Sequence, residues 1–342
     1  MTCPTDRRMK ILGYSEIDRN AWAEFVKLHP KGNVFQTPEM YEVYARTKHT
    51  TPLVVAVTER NNIVGLLLAQ IITNGDSLVS WLTARSIIIG GPLIKDERGD
   101  VLYCLLGAYK RLLPRKVIYS EIRPIYDIAG IAPDLQSIRW IRRGHYNLLM
   151  SLDKSQEELF NQMHKERRRN VNQAVKAGLV FREVTEINDV RAIVELIKKT
   201  YERKHVPISY LDMFEEVHEQ MKQYAHFFAC YTSDGIMIAG EVRLCYKDLV
   251  YAWFAGSDED YFKLRPNDFT MWNVICWGAE HGYKLLDFGG GGEPGKPYGV
   301  RDYKLKYGCQ IYDYGRYVYA HRPITYWMAT KAYALYQKIK GK

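Results

Sequence analysis

The segment DFGGGGEPGKPYGVRDYKLKYG, residues 287–308, gathers the residue types of this chain best suited to chemistry: an aspartate, four consecutive glycines and lysines within an aromatic stretch. Gly290, Gly295 and Lys296 match the G-x-x-x-x-G-K core of a phosphate-binding loop, whose next residue holds Mg²⁺ through a hydroxyl. Here that residue is Pro297, which has neither a hydroxyl nor an N–H. Residues 298–307 read as extended structure, whereas such a loop opens a helix. The glycines therefore call for another role.

Other chemistries find little footing. There is no G-x-S-x-G elbow and no H-E-x-x-H, and the nine histidines have no metal-ligand spacing. No metal is expected. Asp258, Glu259 and Asp260 read as a solvated loop. The six cysteines, Cys3, Cys104, Cys230, Cys245, Cys276 and Cys309, form no C-x-x-C pair, which fits a reducing compartment. The opening MTCPTDRRMKILGY has no apolar signal core, and no apolar run approaches the roughly 18 residues of a spanning helix. A cytoplasmic protein is expected.

The formal net charge of +9 is concentrated. Lys165, Arg167, Arg168, Arg169, Lys176 and Arg182 face Glu166 alone between residues 161 and 182, and residues 321–342 carry five cations and no acid. Such patches suit an anionic partner: RNA, a nucleotide sugar or a lipid headgroup. Either patch also reads as a solvated helix face. The last helix, with Met328, Ala332, Leu335, Tyr336 and Ile339 on one face, is expected to pack back on the first domain or to lie on a membrane surface.

The elements that position these residues recur. Residues 53–59 and 63–72 read as strands around Asn61-Asn62, with a third strand in 78–89, a helix over 100–113 and a strand over 117–123. Residues 226–232 and 236–246 flank Asp234-Gly235, followed by a strand over 249–256, a helix over 267–281 capped by Gly282, and a strand over 283–288. The two series lie about half a chain apart and predict a duplicated α+β unit with a mixed sheet. Helix starts are expected at Thr37-Pro38-Glu39 and at the capping box Ser155 to Glu158, with a further helix over 189–204. The boundary is placed near 150–153, giving domains 1–150 plus 318–342 and 151–317. Tyr312, Tyr314, Tyr317 and Tyr319 read as one aromatic strand closing the second domain.

HKERRRNVNQAVKAGLVF, VYAWFAGSDEDYFKLRPNDFTMWNVICWGAEHGYKLLDFGG and YGVRDYKLKYG resemble the Fem-type peptidyltransferases, as does VFQTPEMYEVY in the first half. The resemblance implies two tandem GNAT-like domains, each a mixed, mostly antiparallel sheet flanked by helices. It also implies transfer of an amino acid from aminoacyl-tRNA to an amine of a peptidoglycan precursor, without a cofactor. Gly289 and Gly290 would shape the floor of the cleft, and Lys304 would enter it. A cation there suits aminolysis, which passes through a tetrahedral oxyanion. Asp287 would orient or deprotonate the attacking amine, or else form the turn before the glycines. Tyr210, Trp253, Phe254 and Tyr303 match cleft-lining positions, and Lys165, Arg167, Arg168 and Arg169 match a basic helix of the family, which serves either as a feature of the fold or as a tRNA contact.

Two departures stand out. Tyr44, at a substrate-binding position, replaces a family lysine that contacts the precursor's diphosphate. Val206, ahead of Pro207-Ile208-Ser209-Tyr210, replaces a second cation. The expected partners are therefore aminoacyl-tRNA and a cell-envelope acceptor, lipid-linked or not, at the inner face of the membrane. An acyl-CoA donor is the alternative, although residues 263–268 supply no glycine-rich pyrophosphate loop. A non-catalytic RNA or glycan binding protein is the reading from another class.

Overall fold

The computed structural model describes residues 9–73, 83–206, 208 and 210–340, the last eight by backbone alone. Cys3, Pro207, Ser209, part of the third strand expected in 78–89, and the side chains of Leu335, Tyr336 and Ile339 lie outside that description. The chain divides into two units. The first comprises residues 1–144 and 314–342, and the second residues 145–313.

The first unit starts with β1 (Met9–Gly13), α1 (Arg19–Leu28), α2 (Pro38–Arg46), β2 (Thr50–Glu59) and β3 (Asn62–Ile72). Thr37 Oγ1 accepts from Met40 N at 3.3 Å, with Pro38 in the first turn, so α2 begins where its cap dictates. The hairpin turns on Arg60 and Asn61, both left-handed (φ 50° and 66°), the two-residue geometry that matches strand twist. β4 (Arg85–Ile89), β5 (Leu93–Ile94), α3 (Gly99–Leu112), β6 (Tyr119–Arg123), α4 (Ala132–Ser137) and β7 (Ile141–Arg143) follow.

The second unit holds β8 (Tyr146–Ser151), α5 (Gln156–Gln162), α6 (Lys165–Lys176), β9 (Val180–Val184), α7 (Ile187–Arg203) and α8 (Met213–Gln220). Then come β10 (Ala225–Tyr231), β11 (Met237–Tyr246), β12 (Leu249–Ser257), α9 (Pro266–Glu280), β13 (Leu285–Gly290), α10 (Gly299–Leu305) and β14 (Gln310–Asp313). The capping box at α5 is formed: Ser155 N donates to Glu158 Oε2 at 2.8 Å, and Glu158 N to Ser155 Oγ at 3.3 Å. β15 (Arg316–Ala320) and α11 (Pro323–Lys340) belong to the first unit, where Tyr326 of α11 packs on Tyr119 at 5.0 Å between ring centroids.

The first sheet runs β1-β2-β3-β4-β6-β15-β7, with β5 on β3, and the second β9-β10-β11-β12-β13-β8-β14. Position for position the orders are the same. Pairing is antiparallel except at β4/β6 and β12/β13. In the second sheet, Ala239 of β11 faces the cluster that holds Phe269 of α9, whereas a Cβ on Gly240 would strike Ile193 of α7. Alternation along one strand therefore places α7 and α9 on opposite faces. Gly256 lets α7 approach β12 closely, since a Cβ there would lie 2.3 Å from Ile197 N.

Three readings differ from the sequence expectation. The aromatic stretch after the glycines is helical over Gly299–Leu305, and Tyr303 within it bonds the hydroxyl of Tyr307 in the turn that follows. The strand and helix context of a phosphate loop is thus present, and Pro297 alone argues against one. The tyrosines over 312–319 form two strands, β14 on β8 and β15 on β6 and β7, in different units. The division falls at 144/145 because β8 pairs with β13 and β14 and so belongs to the second sheet.

Candidate active site

The parallel pair β12/β13 stays in register only from Leu249↔Leu285 to Tyr251↔Asp287. Beyond it β13 bulges: against β8, pairing steps from Asp287↔Leu149 to Gly290↔Asn147, three residues opposite two. The bulge needs Gly289 at φ 74°, where a Cβ would sit 3.4 Å from Ala252 O. Its exposed carbonyls receive Lys304 from α10. Lys304 Nζ donates to Phe288 O at 2.5 Å and to Gly290 O at 3.0 Å.

Above the bulge lies a cavity of about 510 Å³ walled by the end of α7, β11, β12, the start of α9, Phe288 and α10. Trp253, Phe254, Tyr303 and Lys304 line it, and Phe214 braces the aromatic wall at 5.5 Å from Trp253 and 4.9 Å from Phe254 between centroids. Burial pushes the Lys304 pKa down to about 8; Arg243 and Lys204 add to the fall, and the charge of Asp287 opposes it. An ammonium so placed is poised to meet developing negative charge.

Asp287 is fully buried and lies beneath the cavity instead of lining it. Its Oδ1 accepts from Gly289 N at 2.7 Å, closing the turn, and Asn147 donates to Oδ2 at 3.4 Å. Burial pushes its pKa up to about 6 against those bonds and the Lys304 charge. Arg301 fixes the loop before α10 by donating to the carbonyls of Gly291, Glu293 and Lys296 at 3.3, 3.2 and 2.6 Å.

The remaining expected residues divide. Gly290 lies in the bulge, and a Cβ there would strike His145. Burial raises the pKa of Tyr201, on the cavity wall, and Tyr210 stands close enough to add to the rise. Tyr44 is buried in the first unit, with only 4% of its surface exposed, and its carbonyl accepts from Thr50 Oγ1 at 2.5 Å. Lys165, Arg168 and Arg169 line a separate depression of about 680 Å³ on α6, together with Lys176. Arg167 departs from its helix neighbours and turns inward. It donates to Asp268 at 2.6 Å and lies over the Tyr303 ring, while Asn170 and Tyr307 complete the bonds to Asp268 at 2.7 and 2.6 Å. A surface anion has no access to it; its role is to lock α6 to α9 under α10.

Sequence reasoning missed Glu241 and Arg243, an ion pair on the cavity wall with side chains 5% and 2% exposed. The signal was available: two charges two residues apart, and so on one face, inside the apolar run IAGEVRLCY. It also missed Tyr201 and Lys204 at the end of α7.

Residues 161–305 match the family model described as an acetyltransferase (GNAT) domain. No curated protein matches the sequence. Among solved structures, FemX superposes with a TM-score of 0.73 over 93% of this chain and 99% of that one, at 16% identity. This chain has the tandem GNAT fold. A tandem GNAT protein from the clavulanic acid biosynthesis pathway superposes at 0.60 over 91% and 98%, with 9% identity, and L-PGS from Bacillus licheniformis at 0.52 over 78% and 85%, with 14% identity. Within the tandem GNAT fold, the family model spans the end of α5 to the last residue of α10, and so ends one residue after Lys304. No helix among the described residues is long and apolar enough to cross a membrane.

Proposed function

We propose that the chain is a Fem-type acyltransferase that moves an aminoacyl group from aminoacyl-tRNA to an amine of a peptidoglycan precursor or a related cell-envelope acceptor. The observation that carries this reading is the Lys304 ammonium, held by the β13 bulge at the wall of a substrate-sized cavity. In aminolysis the acceptor nitrogen attacks the ester carbonyl, a C–N bond forms, and the carbonyl oxygen takes the negative charge before the ribose oxygen leaves with a proton. Lys304 donates to that oxygen or to the leaving one. Asp287 keeps the bulge closed and holds a negative charge near Lys304, which favours its protonated form.

Support for a tRNA donor comes from the whole-chain likeness to FemX and from the basic depression on α6. The family description, acetyltransferase, favours a second reading with an acyl-CoA donor. Purified protein mixed with muropeptide precursors and either charged tRNA or acyl-CoA, with acceptor mass followed, separates them. A gain of one amino acid that ribonuclease abolishes is expected. A gain with acyl-CoA alone replaces the first reading by the second, and no gain with either removes the acceptor assignment.

A further inference from the structure

Charged side chains on the inner face of a central strand are costly to bury, and removing one partner leaves the other uncompensated. Glu241 and Arg243 accept that cost on β11, facing the cavity. Arg243 Nη2 is taken by Glu241 and touches Met271 Sδ at 3.7 Å, while its Nε has no acceptor.

The rest of the charge in the cavity is lopsided. Lys304 bonds only to carbonyls. Lys204, at the exposed end of α7, has no acid within ion-pair distance among the described residues, whereas its neighbour Arg203 meets Glu259 at 3.5 Å. Arg243, Lys204 and Lys304, with Arg203 paired outward to Glu259, thus line the cavity with one carboxylate, Glu241, which is already engaged. A concave, largely apolar site with surplus positive charge concentrates anions.

We infer that the cavity binds an oxyanion of the substrate, a carboxylate or a phosphate, anchored by Arg243 and Lys204 and leaving Lys304 to the reacting carbonyl. Glu241 is the internal counterion that holds the guanidinium in place. This deepens the proposed function and rests on its reading of the cavity as the transfer site. The substrate is then one that carries a carboxylate or a phosphate near its reacting group.

Binding to the full chain, without donor or turnover, tests this. The probes are N-acetylglycine, its neutral counterpart N-acetylglycinamide, and inorganic phosphate. The readout is quenching of Trp253 fluorescence, with Trp253→Phe as the blank. The acid is expected to bind roughly tenfold more tightly than the amide, the loss of about one charge pair. Lys204→Gln, on an exposed helix end, and the neutral pair Glu241→Gln/Arg243→Gln, which leaves no buried charge unpaired, each bring the acid toward the amide. Phosphate binding more tightly than the acid identifies the oxyanion as a phosphate. Equal binding of acid and amide, or acid binding unchanged in both variants, overturns the site. Because no transfer is measured, failure of the acyl-transfer reading and failure of this site are read separately.

Discussion

The two units run the same strand order and treat the equivalent seam in opposite ways. In the first, the parallel ladder β4/β6 is unbroken from Arg85↔Tyr119 to Ile89↔Arg123. In the second, β12/β13 part after Tyr251↔Asp287, and the bulge at Gly289 opens toward a helix that carries a lysine. The first unit's irregularity lies one strand over. β3 and β4 pair over only three residues, and the buried Gln36 fills the gap, donating to Leu68 O at 3.1 Å and Ile89 O at 2.8 Å and accepting from Leu68 N at 2.8 Å. The helix after β6, Ala132–Ser137, has no cation. One sheet is sealed by an amide and the other is opened by a glycine, so the same topology gives a structural unit and a candidate reactive one.

The largest effect expected from this contrast is on rate. Lys304→Met should lower turnover by about 10²–10³-fold, the cost of one oxyanion donor, with an unchanged circular dichroism spectrum. Gln136→Ala, on the equivalent but cation-free helix, should leave the rate as it was. A folded Lys304→Met protein with near-normal turnover would break the distinction between the units.

Gln36→Ala should act on stability instead, by about 2–3 kcal/mol, since it strands buried backbone groups of β3 and β4. Hydrogen exchange should locate the loss in residues of the first unit, and an equal loss in β12 and β13 would contradict the division.

Activity that needs the Lys304 ammonium should fall as pH rises through about 8. Asp287→Asn keeps an oxygen for Gly289 N but removes the charge that favours protonated Lys304. The descending limb of the pH–rate profile should then move to lower pH. A limb that stays in place would show that Lys304 does not set it.

The remaining effect expected belongs to the first unit. His321 Nε2 bonds Ser120 Oγ at 2.7 Å, and burial, with Lys110, lowers its pKa to about 4. The unfolded chain therefore takes up this proton first as pH falls. Stability from neutral His321 is whole above about 6.5 and is lost between there and 4. Urea unfolding followed against pH should show that slope, and His321→Gln should flatten it.

The local elements were legible because their causes are local. Thr37 and Ser155 cap helices through their own hydroxyls, and near-continuous apolar runs bounded by turns mark β2, β3, β10 and β11. The glycine stretch stood out by its residue types, whereas its place at the floor of a cleft and the choice of Lys304 were reached through family resemblance. The sequence left Arg167 open between a fold contact and a tRNA contact, because a basic run looks the same whether a given member faces solvent or Asp268, a residue about a hundred positions away.

The sequence by itself determined the duplicated order of strands and helices and the caps that start them, since propensity, capping and the apolar runs between turns are each set within a few residues. Only the tertiary structure decided that β8 and β15 lie inside sheets whose other strands are distant in sequence, that residues 299–305 coil to present Lys304, and that Glu241 and Arg243 face the cavity. Each of these depends on which partner fills a hydrogen-bonding edge or a buried charge, and those partners are fixed by long-range packing.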